Sequence, residues 1–157
     1  MSGKENISTD ILVIGGGAAG ISAALAASSC NDLRVTLVDD NPRLGGQIWR
    51  AELGKTKSAD ALKLINAIDS GRVEIVNNAQ VFAARNENSL LAQAPNGSTG
   101  FEYQKLIIAT GARERFLPFP GWTLPNVLGA GGLQALVKGG LDVKGKRVVV
   151  AGTGALL

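Results

Sequence analysis

Residues 11–39 read ILVIGGGAAGISAALAASSCNDLRVTLVD, and the order of residue types here narrows the fold sharply. Residues 11–14 (ILVI) are an unbroken apolar run ending at Gly15, the pattern of a strand buried on both faces. An alanine-rich helical pattern follows from Ala18 to about Ser29, with side chains small enough to lie close against a sheet. Residues 34–38 (RVTLV) are a second β-branched strand, which closes a strand–helix–strand unit. Between the first strand and the helix, Gly15-Gly16-Gly17-Ala18-Ala19-Gly20 fits G-x-G-x-x-G. Asp39 ends the second strand at close to the spacing of about 20 residues that such a unit requires.

Each position has a physical task. Gly15 permits a tight turn, Gly17 removes a side chain that would block a pyrophosphate, and Gly20 lets helix and strand approach closely. Backbone N–H groups at the helix start, around Ala18 and Ala19, can hold a diphosphate with the help of the helix dipole and without a lysine. Asp39 can accept hydrogen bonds from a ribose diol. Its charge disfavours a 2′-phosphate, so FAD or NAD fits better than NADP. Asp40 stands next to it and could substitute; Asp39 is the preferred acid. A structural turn without a ligand would explain a lone glycine hexamer, but it explains this context less well.

Outward from this unit, residues 41–57 read as loop, with Pro42, Gly45, Gly46 and Gly54. Ser58 is placed to cap a helix running to about Ser70, with Leu62, Ile65 and Ile68 on one stripe and Gly71 as its stop. Residues 73–76 (VEIV) read as a third parallel strand. Short strands near 79–84, 88–94 and 100–104 predict an antiparallel meander, and 105–109 (KLIIA) a return to a buried strand. An irregular segment with Pro118, Pro120 and Pro125 precedes a helix from about Gly132 to Lys138. Residues 146–151 read as one more buried strand, aimed at Gly152-Thr153-Gly154.

Composition narrows the chemistry. The chain has 157 residues, enough for one core-forming domain, and its 21 glycines cluster in loops where backbone must approach something closely. A net charge of +3 suits an anionic cofactor and is too weak for a nucleic-acid footprint. Cys30 is the single cysteine and histidine is absent. A disulfide framework, a Cys/His metal site, a CxxC redox pair and a histidine triad are therefore all excluded within this sequence. No apolar run approaches the roughly 18–20 residues of a membrane span, and the first ten residues lack the order of a signal peptide. The cytoplasm is the expected compartment, which leaves room for peripheral membrane association of a parent complex.

Three segments carry a family resemblance: VTLVDDNPRLGGQIWR at 35–50, KLIIATGARERFLPFPGW at 105–122 and GAGGLQALVKGG at 129–140. Together they resemble one branch of the FAD-dependent flavoproteins related to pyridine-nucleotide-disulfide oxidoreductases. That branch holds opine oxidase A subunits, hydrogen cyanide synthase B subunits, the large subunits of dye-linked proline and hydroxyproline dehydrogenases, and sarcosine oxidase alpha relatives. The resemblance covers residues 10–157. It implies an α/β, Rossmann-like three-layer FAD-binding domain: a parallel sheet, helices on one side and an antiparallel β-meander on the other, incomplete at the C-terminus. On this reading residues 1–9 are a flexible N-terminus and 10–145 the N-terminal part of the FAD-binding domain. Residues 146–157 then begin a truncated second dinucleotide-binding domain, whose first strand would fray or pair opportunistically.

The resemblance also implies site residues. Gly45-Gly46-Gln47 matches a second glycine pair whose backbone passes the ribityl and flavin side of FAD. Val81 matches a position whose main chain meets the adenine edge, and Ala109-Thr110-Gly111 a strand end that closes over the diphosphate. Gly152 to Leu157 resembles the start of a second nucleotide motif, for NAD(P) or another nucleotide, that is not complete in this chain. Arg113, Glu114 and Arg115 are expected to be a solvated charge cluster, Trp49 and Trp122 packing residues, and Cys30 an inert residue ending a helix that faces the core. No residue presents itself as a general base, so no catalytic residue is assigned. The implied function is an oxidoreductase subunit or fragment acting on a carbon–nitrogen bond of an amino-acid-like substrate, or relaying its electrons, beside other subunits. The alternative is a non-catalytic nucleotide-binding or assembly module of a multi-subunit dehydrogenase. A single-domain NAD-dependent dehydrogenase is disfavoured, because the sequence lacks a Tyr-x-x-x-Lys pair and histidine.

Overall fold

Strands buried on both faces need a layer on each side, and the chain supplies both. The computed structural model describes residues 5–30, 32–49, 59–69, 71–138 and 140–153. The elements are β1 (Glu5–Ile14), α1 (Ala18–Ser28), β2 (Val35–Val38), α2 (Gly46–Trp49), α3 (Ala59–Asp69), β3 (Val73–Val76), β4 (Gln80–Asn86), β5 (Ser89–Ala94), β6 (Gly97–Ile108) and α4 (Ala130–Lys138). Contacts divide the chain into two units, one through Gly111 and one from Ala112.

The first unit is a six-stranded sheet in the order β3-β2-β1-β6-β5-β4. β3, β2, β1 and β6 run parallel, with Ile11 opposite Val35, Val35 opposite Val73, and Ile11 opposite Lys105. β6, β5 and β4 form the antiparallel meander. Side chains alternate across the parallel strands as the pleat requires. Val13, Val35, Leu37 and Val73 pack with Ile21 and Ala24 of α1 and with Ile65 and Ile68 of α3. Leu12 and Val38, on the opposite face, pack with Leu90, Ala92 and Phe101 of the meander. These are the helix, sheet and meander layers that the sequence implied.

Several boundaries differ from the expectation. Residues 5–9, assigned to a flexible N-terminus, are paired strand: Glu5 to Thr9 lie opposite Thr99 to Tyr103. Backbone pairing needs no apolar side chains, so the polar run ENIST extends β1 along the length of β6. The strands expected at 100–104 and 105–109 are one continuous β6. Its end is not buried: Ile108 is 70% exposed. β5 covers only Gly97 to Glu102 on that edge, and no strand among the described residues covers the rest. In α3 the buried stripe is Ala61, Ile65 and Ile68 with Leu64 packed beside it, whereas Leu62 is 41% exposed. Ser58, the expected cap, lies outside the described residues, as do the Gly54 loop and residues 154–157. Cys30 is exposed rather than core-facing. α1 stops before it, its last carbonyls taken by the Ser28 hydroxyl (to Leu25 O, 2.9 Å) and the Ser29 hydroxyl (to Ala26 O, 2.7 Å). Trp49 is half-buried against the helix-side core.

In the second unit, Glu114 does more than carry surface charge. Its carboxylate accepts the N–H groups of Ala130 (2.8 Å) and Gly131 (3.0 Å), capping the start of α4 where the helix dipole favours an anion. Trp122 is 38% exposed, with its ring 6.2 Å from that of Phe116. Residues 146–151 carry no strand. Without a partner strand among the described residues, Val149 is 93% exposed.

Asp10, midway along β1, ties that strand to the start of β2 and to the middle of β6. It accepts the Arg34 backbone N–H (2.8 Å) and the Gln104 side-chain amide (2.7 Å), with the Arg34 guanidinium 3.5 Å away. The Arg34 N–H above all, and then its charge, hold the Asp10 carboxyl below its ordinary value of 3.8. A depressed carboxyl stabilises the fold above the unfolded value and loses that contribution as pH falls through the folded one. The stability deficit of Asp10→Asn, measured by urea unfolding, is therefore expected at neutral pH and absent in strong acid. Phe101 is fully buried under the sheet, and Phe101→Ala is expected to lower unfolding free energy by about 3–5 kcal/mol in the same assay.

Candidate functional site

The carboxyl ends of the parallel strands bring the glycine loops together. Gly15 leaves β1 at φ +103°, a conformation glycine adopts without strain, and its N–H donates to Val38 O (2.8 Å). A Cβ on Gly15 would strike the Ala109 carbonyl and come within 3.1 Å of the Thr110 Cα. A Cβ on Gly20 would strike the Gly15 carbonyl. Helix, turn and the end of β6 thus meet backbone to backbone. Gly17 is the N-cap of α1, in extended conformation and with no side-chain cap. The first-turn amides at Ala18, Ala19 and Gly20 have no intrahelical acceptor, and the first turn carries no acidic residue.

The second glycine pair docks on the first. Gly45 donates its N–H to Gly16 O (2.7 Å), and a Cβ on Gly46 (φ +56°) would lie 2.9 Å from the Gly17 Cα. A Cβ on Gly17 would meet only the Gly46 Cα, at 3.8 Å. Gln47 is exposed on α2, the short helix that follows.

Asp39 is 6% exposed and joins three strand ends. One carboxylate oxygen accepts the Gly16 N–H; the other accepts the Asn41 N–H (2.7 Å) and side-chain amide (2.9 Å). Its backbone donates to Val76 O (3.0 Å) and accepts from Ala79 N–H (3.0 Å). Asp40 is exposed and accepts the Asn41 side-chain amide (2.6 Å). Gly15, Gly17, Gly20, Asp39, Gly45, Gly46, Ala109 and Thr110 therefore belong to one contact network through Gly16. Ala18 and Ala19 open the helix inside it. Val81 sits apart on β4, partly buried in the meander-side core, opposite Ala92 and beside a ladder irregularity. Gly111 follows Thr110 at φ +70° with nothing near its missing side chain.

Two participants were not singled out from the sequence. Asn41 braces both acids, and its place before Pro42 is a turn signal that could have marked it. Leu44 is buried against Gly16, where a Cβ would strike its Cδ2. A cleft of about 610 Å³ opens at the other end of β1, lined by Ser8, Thr9, Arg34, Ser89 and Tyr103 among others. Ligands of parallel sheets gather at the carboxyl ends of the strands, so this cleft lies at the wrong end for the glycine turn. Among the described residues no group of three His, Cys, Asp or Glu side chains gathers as a metal site. No helix among them is long and apolar enough to cross a membrane.

Comparison with known proteins agrees with this geometry. Residues 9–156 match the family model of the pyridine nucleotide-disulphide oxidoreductases. The chain belongs to that family. It is 36% identical to hydrogen cyanide synthase subunit HcnB of Pseudomonas protegens, over 96% of this chain and 34% of that protein. It is 37% identical to the opine oxidase A-subunit of Agrobacterium tumefaciens, over 94% of this chain and 33% of that one. The chain thus spans about a third of the length of these relatives. Among solved structures, L-proline dehydrogenase from P. horikoshii shares the fold, with a TM-score of 0.59 and 22% identity over 74% of this chain and 25% of that one.

Two substitutions test how far the fold of this chain depends on the network. Gly20→Ala forces a methyl against the Gly15 carbonyl and is expected to cost about 1–3 kcal/mol or more. Asp39→Ala leaves the Gly16 N–H without its acceptor and is expected to cost about 2–3 kcal/mol. Chemical denaturation followed by circular dichroism measures both.

Proposed function

We propose that this chain holds FAD at the carboxyl edge of its parallel strands, as part of an oxidoreductase subunit. The observation that carries the reading is the uncapped mouth of α1, where Gly17 and Gly46 leave a backbone-lined cradle that a side chain would fill. In this reading the amides of Ala18, Ala19 and Gly20 hold the diphosphate, with Gly15 and Gly17 giving it room. Ala109, Thr110 and Gly111 close over the same end. Asp39 braces the turn and, with the exposed Asp40, holds the adenosine ribose. Gly45, Gly46 and Gln47 pass the ribityl and flavin side, and the Val81 main chain meets the adenine edge.

The bound flavin would supply the electron chemistry, and the protein its orientation and field. The related chains are named for hydrogen cyanide synthesis and opine oxidation, which supports oxidation of a carbon–nitrogen bond in an amino-acid-like substrate, or relay of its electrons. Both names also describe subunits, which supports further oxidoreductase subunits as partners. A second nucleotide, NAD(P) in kind, would belong to the junction at Gly152, whose residues from 154 onward lie outside the described ones. A second reading, a nucleotide-binding assembly module without turnover, is favoured by the exposed valines at 148–150.

Denaturing the purified protein and identifying the released small molecule by absorbance and mass tests the reading. FAD is expected. Gly17→Ala has room for its methyl inside the fold, so its circular dichroism should match the parent while FAD retention is lost. A parent protein that is colourless and leaves the fluorescence of added FAD unquenched would sink the proposal. Gel filtration with a candidate partner subunit then separates the two readings: a monomer that turns over an amino-acid-like substrate with a dye acceptor speaks against a pure assembly role.

A further inference from the structure

Asp40 and Asn41 stand just past the carboxyl end of β2, next to the buried Asp39. The two acids differ in setting: Asp39 is 6% exposed, whereas Asp40 lies open to solvent. One side chain ties them together. The Asn41 amide nitrogen donates to Asp39 Oδ1 (2.9 Å) and to Asp40 Oδ1 (2.6 Å), so one amide serves two carboxylates. The Asn41 backbone is itself fixed on both sides. Its N–H donates to Asp39 Oδ1 (2.7 Å), and its carbonyl accepts the Asn78 N–H beyond β3 (3.1 Å). The donor that holds Asp40 is thus mounted on two strand ends.

Water satisfies an exposed carboxylate as well as an amide does, so the bond to Asp40 adds little to the fold. What it does is restrict where that carboxylate points. A side chain ordered before a ligand arrives spares the cost of ordering it on binding. The inward acid is already engaged: the Gly16 N–H, the Asn41 N–H and the Asn41 amide use most of the roughly four acceptor sites of Asp39. We infer that Asn41 is a positioning residue, which holds Asp40 so that this outward acid accepts the 2′-hydroxyl of the nucleotide ribose while Asp39 stays committed to the glycine turn. The inference rests on the nucleotide reading above. It adds a division of labour between the two acids and the residue that enforces it.

Titration calorimetry of the full chain with ADP and 2′-deoxy-ADP tests this, since the two differ only at the 2′-hydroxyl. The parent is expected to prefer ADP by about tenfold or more, the size of a hydrogen bond to a charged acceptor. Asp40→Ala, at an exposed position, should fold and bring the two affinities together. Asn41→Ala keeps both backbone bonds and loses only the amide. Its ADP affinity should fall by about three- to tenfold while that for 2′-deoxy-ADP holds. In the double variant the loss should be no greater than in Asp40→Ala alone, because Asn41 acts through Asp40. Asn41→Ser serves where Asn41→Ala does not fold: one hydroxyl hydrogen cannot bridge two acids, so the same fall is expected. Equal losses for both nucleotides in the Asn41 variants, as a purely structural brace would give, overturn the positioning role, and so does no loss for either. A preference that survives Asp40→Ala overturns it too, and assigns the 2′-hydroxyl to Asp39. Each of these results leaves the nucleotide site standing. A parent chain that binds neither nucleotide overturns both readings.

Discussion

Asp39 gathers the ends of three parallel strands around one buried carboxylate. Its side chain takes the N–H of Gly16 after β1 and that of Asn41 beyond β2, and its backbone is bonded to Val76 and Ala79 at the end of β3. Buried charge is costly unless hydrogen-bonded donors surround it, and here those donors are backbone amides of the loops that form the site. The acid that the sequence offers as a ligand for ribose is therefore first a structural brace. This coupling gives the turn a defined shape: the groups that would hold a cofactor also hold one another.

The second constraint is closeness. Helix α1 leans on the first turn so tightly that Gly20 and Gly15 touch through backbone atoms, and Ala109 closes the same gap from β6. Each of these contacts excludes a Cβ. The dense glycines are thus two populations, some permitting backbone-to-backbone packing and others, such as Gly17, leaving space that the fold itself does not use. That distinction separates the glycines that the fold requires from one that it does not.

The two units are held by different kinds of interaction. Through Gly111, long-range strand pairing and two apolar clusters on opposite faces of the sheet supply the structure. From Ala112 onward the backbone bonds are turns of short span, such as Trp122 to Phe119, Leu124 to Gly121 and Val127 to Leu124. The Glu114 cap on α4 is a tie of longer reach. Apolar side chains there, Leu117, Leu124 and Val149 among them, stay exposed.

Local pattern alone carried much of this protein. The run ILVI, the glycine hexamer, the alanine-rich helix and RVTLV specify a strand–helix–strand unit, because buried parallel strands and close helix packing demand those residue types at that spacing. Short strands separated by turn residues extended the reading to the meander, and the family resemblance extended it to the second glycine pair. Tertiary structure decided what local pattern does not encode. The polar residues 5–9 became strand because β6 offers backbone groups to pair with, a long-range event invisible to hydrophobic periodicity. Leu62 yielded its place to Ala61 because the helix phase is set by what α3 packs against. Residues 146–151 have the apolar run of a buried strand and lack a neighbour among the described residues, so pattern without a partner left them exposed. Asp39 was legible as an acid in the right place. That it points inward to Gly16 and Asn41, with Asp40 turned to solvent, follows only from how three strand ends converge.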